Sequence, residues 1–139
     1  MTAWCTCNQL FADCLHTETS FNCVKYLYAY DGDTITVEIP GVHPLFGKNI
    51  SVRVFGVDTP ELHSKVKCEK ELALIAKANL ESIISKAKVV NLVDVGRDKY
   101  FRVLATVMVD GQDLGKLMLQ RKLAKVYDGG TKDTKWCTP

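Results

Sequence analysis

ISVRVFGVDTPEL, from Ile50 to Leu62, begins as a strand and ends as something else. Its first eight residues are rich in β-branched side chains and read as extended chain. Asp58, Thr59, Pro60 and Glu61 then stand together. From Lys67 the apolar period turns helical, with Leu72, Ile75, Ala76, Leu80, Ile83 and Ile84 forming an amphipathic stripe. The four-residue junction suits a strand end with good capping chemistry, since a proline in a first helical turn followed by glutamate is favourable there. It equally suits the edge of a metal site.

Upstream of the junction, CVKYLYAY alternates Val24, Tyr26, Tyr28 and Tyr30 with other residues and predicts a strand. Asp31-Gly32 predicts a turn. TITVEI predicts a second strand with Ile35, Val37 and Ile39 on one face, and Pro40, Gly41, Pro44 and Gly47 predict a loop before the third. Downstream, VVNLVDV and FRVLATVMV predict two more strands joined by a hairpin at residues 96–100. Asp113 is placed to cap a short helix containing Leu114, Leu117, Met118 and Leu123. The order is three strands, a helix, two strands and a short helix. It predicts an α+β, mainly β fold, a five-stranded OB-type barrel with a helix after the third strand and another after the fifth; a generic α+β sandwich is the alternative. Residues 1–20 read as an irregular N-terminal extension and 21–139 as a single domain.

The chain has 139 residues, 47% hydrophobic and 24% charged, enough for a core without metal support. A net charge of +2, from 18 basic and 16 acidic residues, is too balanced to announce a nucleic-acid binder by charge alone. No apolar run reaches the ~18 residues of a membrane span. No membrane partner is expected, and a monomer is. The start, MTAWCTCNQLFADCLH, lacks a basic n-region and does not read as a signal peptide. Six cysteines nonetheless lean toward disulfides and an exported, secreted or periplasmic protein. Cys68 and Cys137 are placed to tie the C-terminus down. Cys5, Cys7, Cys14 and His16 are four soft ligands suitable for zinc, but their spacing matches no common zinc motif, so disulfides or free thiols are preferred.

Asp33 begins the second strand and Asp58 ends the third. If these strands form an antiparallel hairpin, both carboxylates lie at one end of it. Hard oxygen donors brought together suit calcium. Thr59, biased toward extended backbone by the following proline, can turn its carbonyl to the same ion. The plainer reading of Asp31-Gly32-Asp33 is hairpin-turn chemistry, and that of residues 58–61 is a turn or helix entry. Arg53 is a charge in an otherwise apolar strand and wants a partner or ligand. Arg102 follows the turn after the fourth strand. For either arginine the plainer reading is a barrel-surface residue facing water.

Taken together, YDGDT (30–34), VRVFGVDTPEL (52–62), DKYFRVLATVMVDG (98–111) and LAKV (123–126) resemble, in order and at fitting intervals, the thermonuclease family of staphylococcal nuclease. The resemblance runs from about Tyr26 to Val126. It implies a calcium-dependent phosphodiesterase on an OB barrel that cleaves DNA and RNA and leaves 3′-phosphates. Asp33 and Asp58 would then be carboxylate ligands of calcium, and Thr59 would give its backbone carbonyl. Glu61 would be the general base or would position the attacking water, while Arg53 and Arg102 would grip the scissile phosphate. Asp31 would support the metal site from behind its ligands. Lys99 and Tyr100 match positions near the bound nucleotide.

The chain departs from the family pattern in several places. Phe101 stands where glycine is frequent. The segment after Val126 lacks the long C-terminal helix and the tyrosines after LAKV, which Tyr127 partly replaces. The cysteines and the N-terminal extension fall outside the resemblance. Tyr100, Phe101 and Tyr127 are candidates for base stacking, with packing as the plainer role. Single strands are the expected preference, because an OB-type groove admits splayed bases. The rival functions are a catalytically inert OB-type module binding nucleic acid or protein, a structural calcium-binding domain, and a disulfide-stabilised domain whose acids only cap turns. The first would be expected to have lost the acids and arginines, and the second has no use for Arg53 and Arg102. The third would show no calcium-dependent thermal shift.

Overall fold

The computed structural model describes residues 14–133 and 135–137. The Asp31-Gly32-Asp33 turn reverses the chain, pairing β1 (Lys25–Ala29) antiparallel with β2 (Thr34–Glu38). β2 pairs antiparallel with β3 (Ile50–Val54), setting Thr34 opposite Arg53. Between them lies α1 (Pro44–Gly47), one turn opened by Pro44 and capped by His43, whose Nδ1 accepts the Leu45 N–H at 3.1 Å. On its other side β3 runs parallel to β6 (Val103–Val109), with Arg53 beside Leu104. β6 in turn pairs antiparallel with β5 (Val90–Arg97) and carries the two-residue β7 (Gln112–Asp113). The chain just before β1 bonds to β5: Phe21 and Leu92 exchange both N–H···O bonds, at 2.9 and 2.8 Å, and the Val24 N–H reaches the Val90 carbonyl at 2.9 Å. One stretch of chain thus touches both edges of the sheet, which curls it into the expected OB-type barrel.

The barrel interior holds Ile35, Val37, Val52, Val54, Leu92 and Val107. Helix α2 (Lys67–Ser85) contributes Ala76, Leu80 and Ile84, and α3 (Leu114–Gln120) contributes Leu114 and Met118. Asp113 caps α3 as expected, accepting the Lys116 N–H at 3.1 Å. A short second ladder pairs β4 (Val57–Asp58) with β8 (Lys125–Val126), so the chain after α3 returns to the strand end that carries Asp58.

Three local expectations shift. The alternation in β1 does not survive, because the pairing with β2 slips between Tyr26 and Tyr28. The slip turns Ala29 into the core and leaves Tyr28 and Tyr30 exposed. The helical stripe is rotated: Ala73 is buried and Ile75 exposed. The small side chain at 76 allows the close approach described below. Leu123 lies beyond α3, its N–H bonded to the Met118 carbonyl at 3.0 Å after Lys122 enters the left-handed region at φ 58°.

Among the described residues, two disulfides join Cys14 to Cys23 and Cys68 to Cys137. The second fastens the C-terminal tail to the start of α2, as expected. The first corrects the zinc alternative, since Cys14 has no thiolate to give. His16 is committed as well: Nε2–H donates to the Pro40 carbonyl and Nδ1 accepts the Asn22 N–H. Cys5 and Cys7 lie outside the described residues. Among those residues no helix is long and apolar enough to cross a membrane.

Candidate active site

Chain reversals at one end of the barrel bring the predicted residues together. A cleft of about 420 Å³ is lined by Asp31 and Asp33 from the β1–β2 turn, Arg53 from β3, Thr59 and Glu61 from the loop after β4, and Tyr100 and Arg102 from the β5–β6 turn. Asp58 lies beside it, ion-paired to Arg53 at 3.5 Å, and lines a neighbouring pocket with Glu61 and Lys132. An adjoining pocket of about 220 Å³ gathers Lys99, Tyr100 and Tyr127 with the two arginines and the apolar Val54, Phe55 and Leu104.

Arg53 is the buried hub, 5% exposed. Its Nη1 donates to the Val54 carbonyl at 3.0 Å and the Asp33 carbonyl at 3.4 Å. Its Nη2 stands 3.4 Å from Asp33 and 3.5 Å from Asp58, as an ion pair without a hydrogen bond. The surface alternative for this arginine is therefore wrong: Val52 and Val54 face the barrel interior, so Arg53 points to the other face, where Asp33, Asp58 and Tyr127 cover it. Arg102 is organised differently. Asp98 accepts from its Nε at 2.7 Å and from its backbone N–H at 2.9 Å, and also from the Tyr100 N–H at 2.9 Å. The contact spares the two Nη groups that a phosphate needs. Burial pushes the Asp98 carboxyl up, but these donors outweigh it and hold it below its ordinary range.

The carboxylates are crowded. Asp33 accepts the Thr59 N–H and hydroxyl at 3.0 and 3.1 Å and the Thr34 hydroxyl at 3.1 Å. Asp31 accepts the Asp33 N–H at 3.0 Å. Burial, together with repulsion from Asp33, pushes Asp31 up to about 7. Burial likewise raises Asp58, despite the cations beside it. Gly32 is required between the two acids by space: a Cβ there would lie 2.9 Å from both Ala76 Cβ and Thr59 Oγ1. The turn, the loop carrying Thr59 and helix α2 therefore meet at a point that only glycine fits.

Two participants escaped the sequence. Asp98 was visible only as a turn residue. Lys132 lies in the tail that sequence reads as irregular, yet its Nζ stands 3.3 Å from Asp58 and 3.5 Å from Glu61. Burial would lower the Lys132 ammonium, but Asp58, Glu61 and Asp33 outweigh this and raise it. The pairing of Cys68 with Cys137 and the Lys125–Asp133 bridge at 2.9 Å lay the tail across the cleft and deliver this cation. Spacing alone carries no signal for it.

The donor chemistry fits a hard divalent cation. Asp58 Oδ1 is buried with no hydrogen-bond partner, and a surplus of carboxylate is concentrated on one arginine and one partly exposed lysine. Among the described residues no three acidic, histidine or cysteine side chains are placed so as to hold a metal ion by themselves. Protein donors would therefore be Asp33, Asp58 and the Thr59 carbonyl, with solvent completing the six to eight oxygens that calcium typically takes.

Residues 51–136 match the family described as staphylococcal nuclease homologue. The chain is 36% identical over 109 residues to endonuclease YncB of Bacillus subtilis (strain 168), covering 75% of this chain and 49% of that protein. It is 34% identical over 110 residues to the SPbeta prophage-derived endonuclease YokF of the same strain, covering 75% of this chain and 35% of that protein. The chain thus spans half or less of the length of these curated relatives.

Proposed function

Because the chain belongs to the staphylococcal nuclease family, we propose that its cleft hydrolyses phosphodiester bonds in DNA and RNA, with calcium as cofactor and 3′-phosphate products. The observation that carries this reading is the convergence of Arg53 from β3 and Arg102 from the β5–β6 turn with Asp33 and Glu61 in one cleft, with Asp58 beside it on Arg53.

Hydrolysis of a phosphodiester is slow because its charge repels nucleophiles, and enzymes in general lower barriers by about 8 to 23 kcal/mol. Arg53 and Arg102 hold the non-bridging oxygens from two sides as charge grows on them. Asp98 fixes the approach of Arg102. Glu61, exposed at the cleft mouth, takes or orients the proton of the attacking water, which displaces the 5′-oxygen in line. Calcium, held by Asp33, Asp58 and the Thr59 carbonyl, supplies Lewis-acid polarisation when bound. Asp31 backs the Asp33 ligand through its backbone N–H. Lys99, Tyr100 and Tyr127 receive the adjoining nucleotide in the second pocket. Sequence preference should be weak, because phosphate contacts carry no base information. The protein acts as a monomer on single strands, and the two disulfides suit a secreted or periplasmic location.

The test is digestion of single-stranded DNA with calcium, with EGTA as control and Glu61→Ala alongside. Calcium-dependent cleavage lost in the variant is the expected result. Calcium binding without cleavage by the unaltered protein would refute hydrolysis and leave an inert OB-type binding module.

A further inference from the structure

A second groove, of about 620 Å³, leads away from the cleft over the barrel. Leu45 and Phe46 of α1 form one wall, and Arg97, Phe101 and Arg102 the other. Arg102 lines both spaces, so the groove lies directly beside the cleft. Its apolar walls are open to solvent: Leu45 is 74% exposed, Phe46 67% and Phe101 75%.

Phe101 is the residue that needs an account. Its backbone is in the left-handed region at φ 66°, where an L-residue with a side chain is disfavoured. Its ring earns little burial in return. Neither packing nor backbone geometry favours phenylalanine here, and glycine would serve the turn better. Strain retained beside a candidate site points to use. The ring is also held ready. Arg97 places its guanidinium 4.5 Å from the ring centroid and donates from Nη1 to the Phe101 carbonyl at 2.9 Å. With one face against a cation and the ring largely exposed, the rest is open to a flat partner.

Resting on the phosphodiesterase reading of the cleft, we propose that this groove is a subsite for the single strand flanking the scissile phosphate, with one unstacked base on Phe101 and Phe46 as the opposite wall. Arg97 and Arg102 supply the positive charge that a phosphate backbone requires. Only a base outside a duplex stack presents its face to an aromatic ring. Substrate length beyond the reacting nucleotides therefore adds affinity, and single-strandedness is selected along this groove.

The test compares an oligothymidylate of about twelve residues, within the span of OB-type sites, with the thymidine dinucleotide. Binding is read by fluorescence anisotropy in EGTA, where nothing is cut, and cleavage by kcat/KM with calcium. Phe101→Gly should weaken oligomer binding about 5- to 100-fold, the range for one lost stacking contact. The oligomer-to-dinucleotide ratio of kcat/KM should fall with it, while the unfolding temperature holds or rises. Phe46→Ala should give a smaller loss in the same direction. Unchanged oligomer binding in both variants, or equal affinity of the unaltered protein for oligomer and dinucleotide, would overturn the proposal. Phe101-dependent binding without calcium-dependent cleavage would refute the hydrolytic reading and leave the groove standing. Cleavage indifferent to Phe101 would do the reverse.

Discussion

Replacing Asp31 by asparagine should make the calcium-free protein more stable, and only above a definite pH. The carboxyl of Asp31 is pushed from 3.8 to about 7 by burial and by Asp33. At about 1.4 kcal/mol per unit, holding it ionised in the native state costs about 4 kcal/mol at most. The native protein binds this proton more tightly than the unfolded chain does. Stability is therefore fully present below pH 4 and is lost as pH rises through about 7. Asparagine keeps the oxygen that accepts the Asp33 N–H at 3.0 Å and removes the charge. The shift already includes the opposing pull of Arg53, and the asparagine amide must itself be desolvated, so the expected gain at pH 8 is about 2–4 kcal/mol, or roughly 5–15 °C in Tm for a domain near this size. The assay is thermal unfolding by circular dichroism at pH 4 and pH 8, in EGTA and in calcium. The gain should vanish at pH 4. It should shrink in calcium, which stabilises the unaltered native state by binding it. No gain at pH 8, or equal gains at both pH values, would refute the claim that like charge is stored in this turn.

Arg102→Ala should reduce turnover about 100- to 1,000-fold, the usual cost of one preorganised charge contact, with the unfolding temperature little changed; near-normal turnover would remove Arg102 from the chemistry. Gly32→Ala should destabilise by about 1–3 kcal/mol through overpacking against Ala76 and Thr59 and should weaken calcium binding, measured by denaturant unfolding and calorimetry. Lys132→Met should tighten calcium binding about 2- to 10-fold, since partly exposed pairs such as those with Asp58 and Glu61 contribute about 0.2–1 kcal/mol each. Weaker calcium binding in that variant would mean that Lys132 shapes the site instead of competing for it.

Much of this was legible because strong local signals agreed with the global pattern. The Asp-Gly turn, the alternation in β2, the Asp113 cap and the handover after Glu61 each have one compatible structure, and together they place Asp33 and Asp58 at one end of the barrel. What sequence concealed depends on contacts made in three dimensions. The slip in β1 inserts no punctuation residue, so Tyr28 and Tyr30 still look like core. The α2 stripe rotates so that Ala76 lies against Gly32, an approach a larger side chain would block and one visible only once Gly32 is seen opposite. Lys132 reaches the carboxylates because a cross-link 69 residues long in sequence draws the tail over them. The purpose of the glycine in Asp-Gly-Asp was also hidden, since turn chemistry explains it equally well from sequence.

The parallel pairing of β3 with β6 has a consequence for when the proposed site can assemble. A nascent chain released only as far as α2 already contains Asp31, Asp33, Arg53, Asp58 and Glu61. It has no β6 to lie beside β3, no Asp98 to steer Arg102, and no Arg102 at all. The carboxylates and one arginine come off the ribosome early, but the second arm of the grip comes late. The two arms of the proposed grip are therefore not present together until most of the sheet has been synthesised. Arg53 sits on an early strand and Arg102 in a turn beyond α2, so the order of synthesis separates the two arms of the proposed grip.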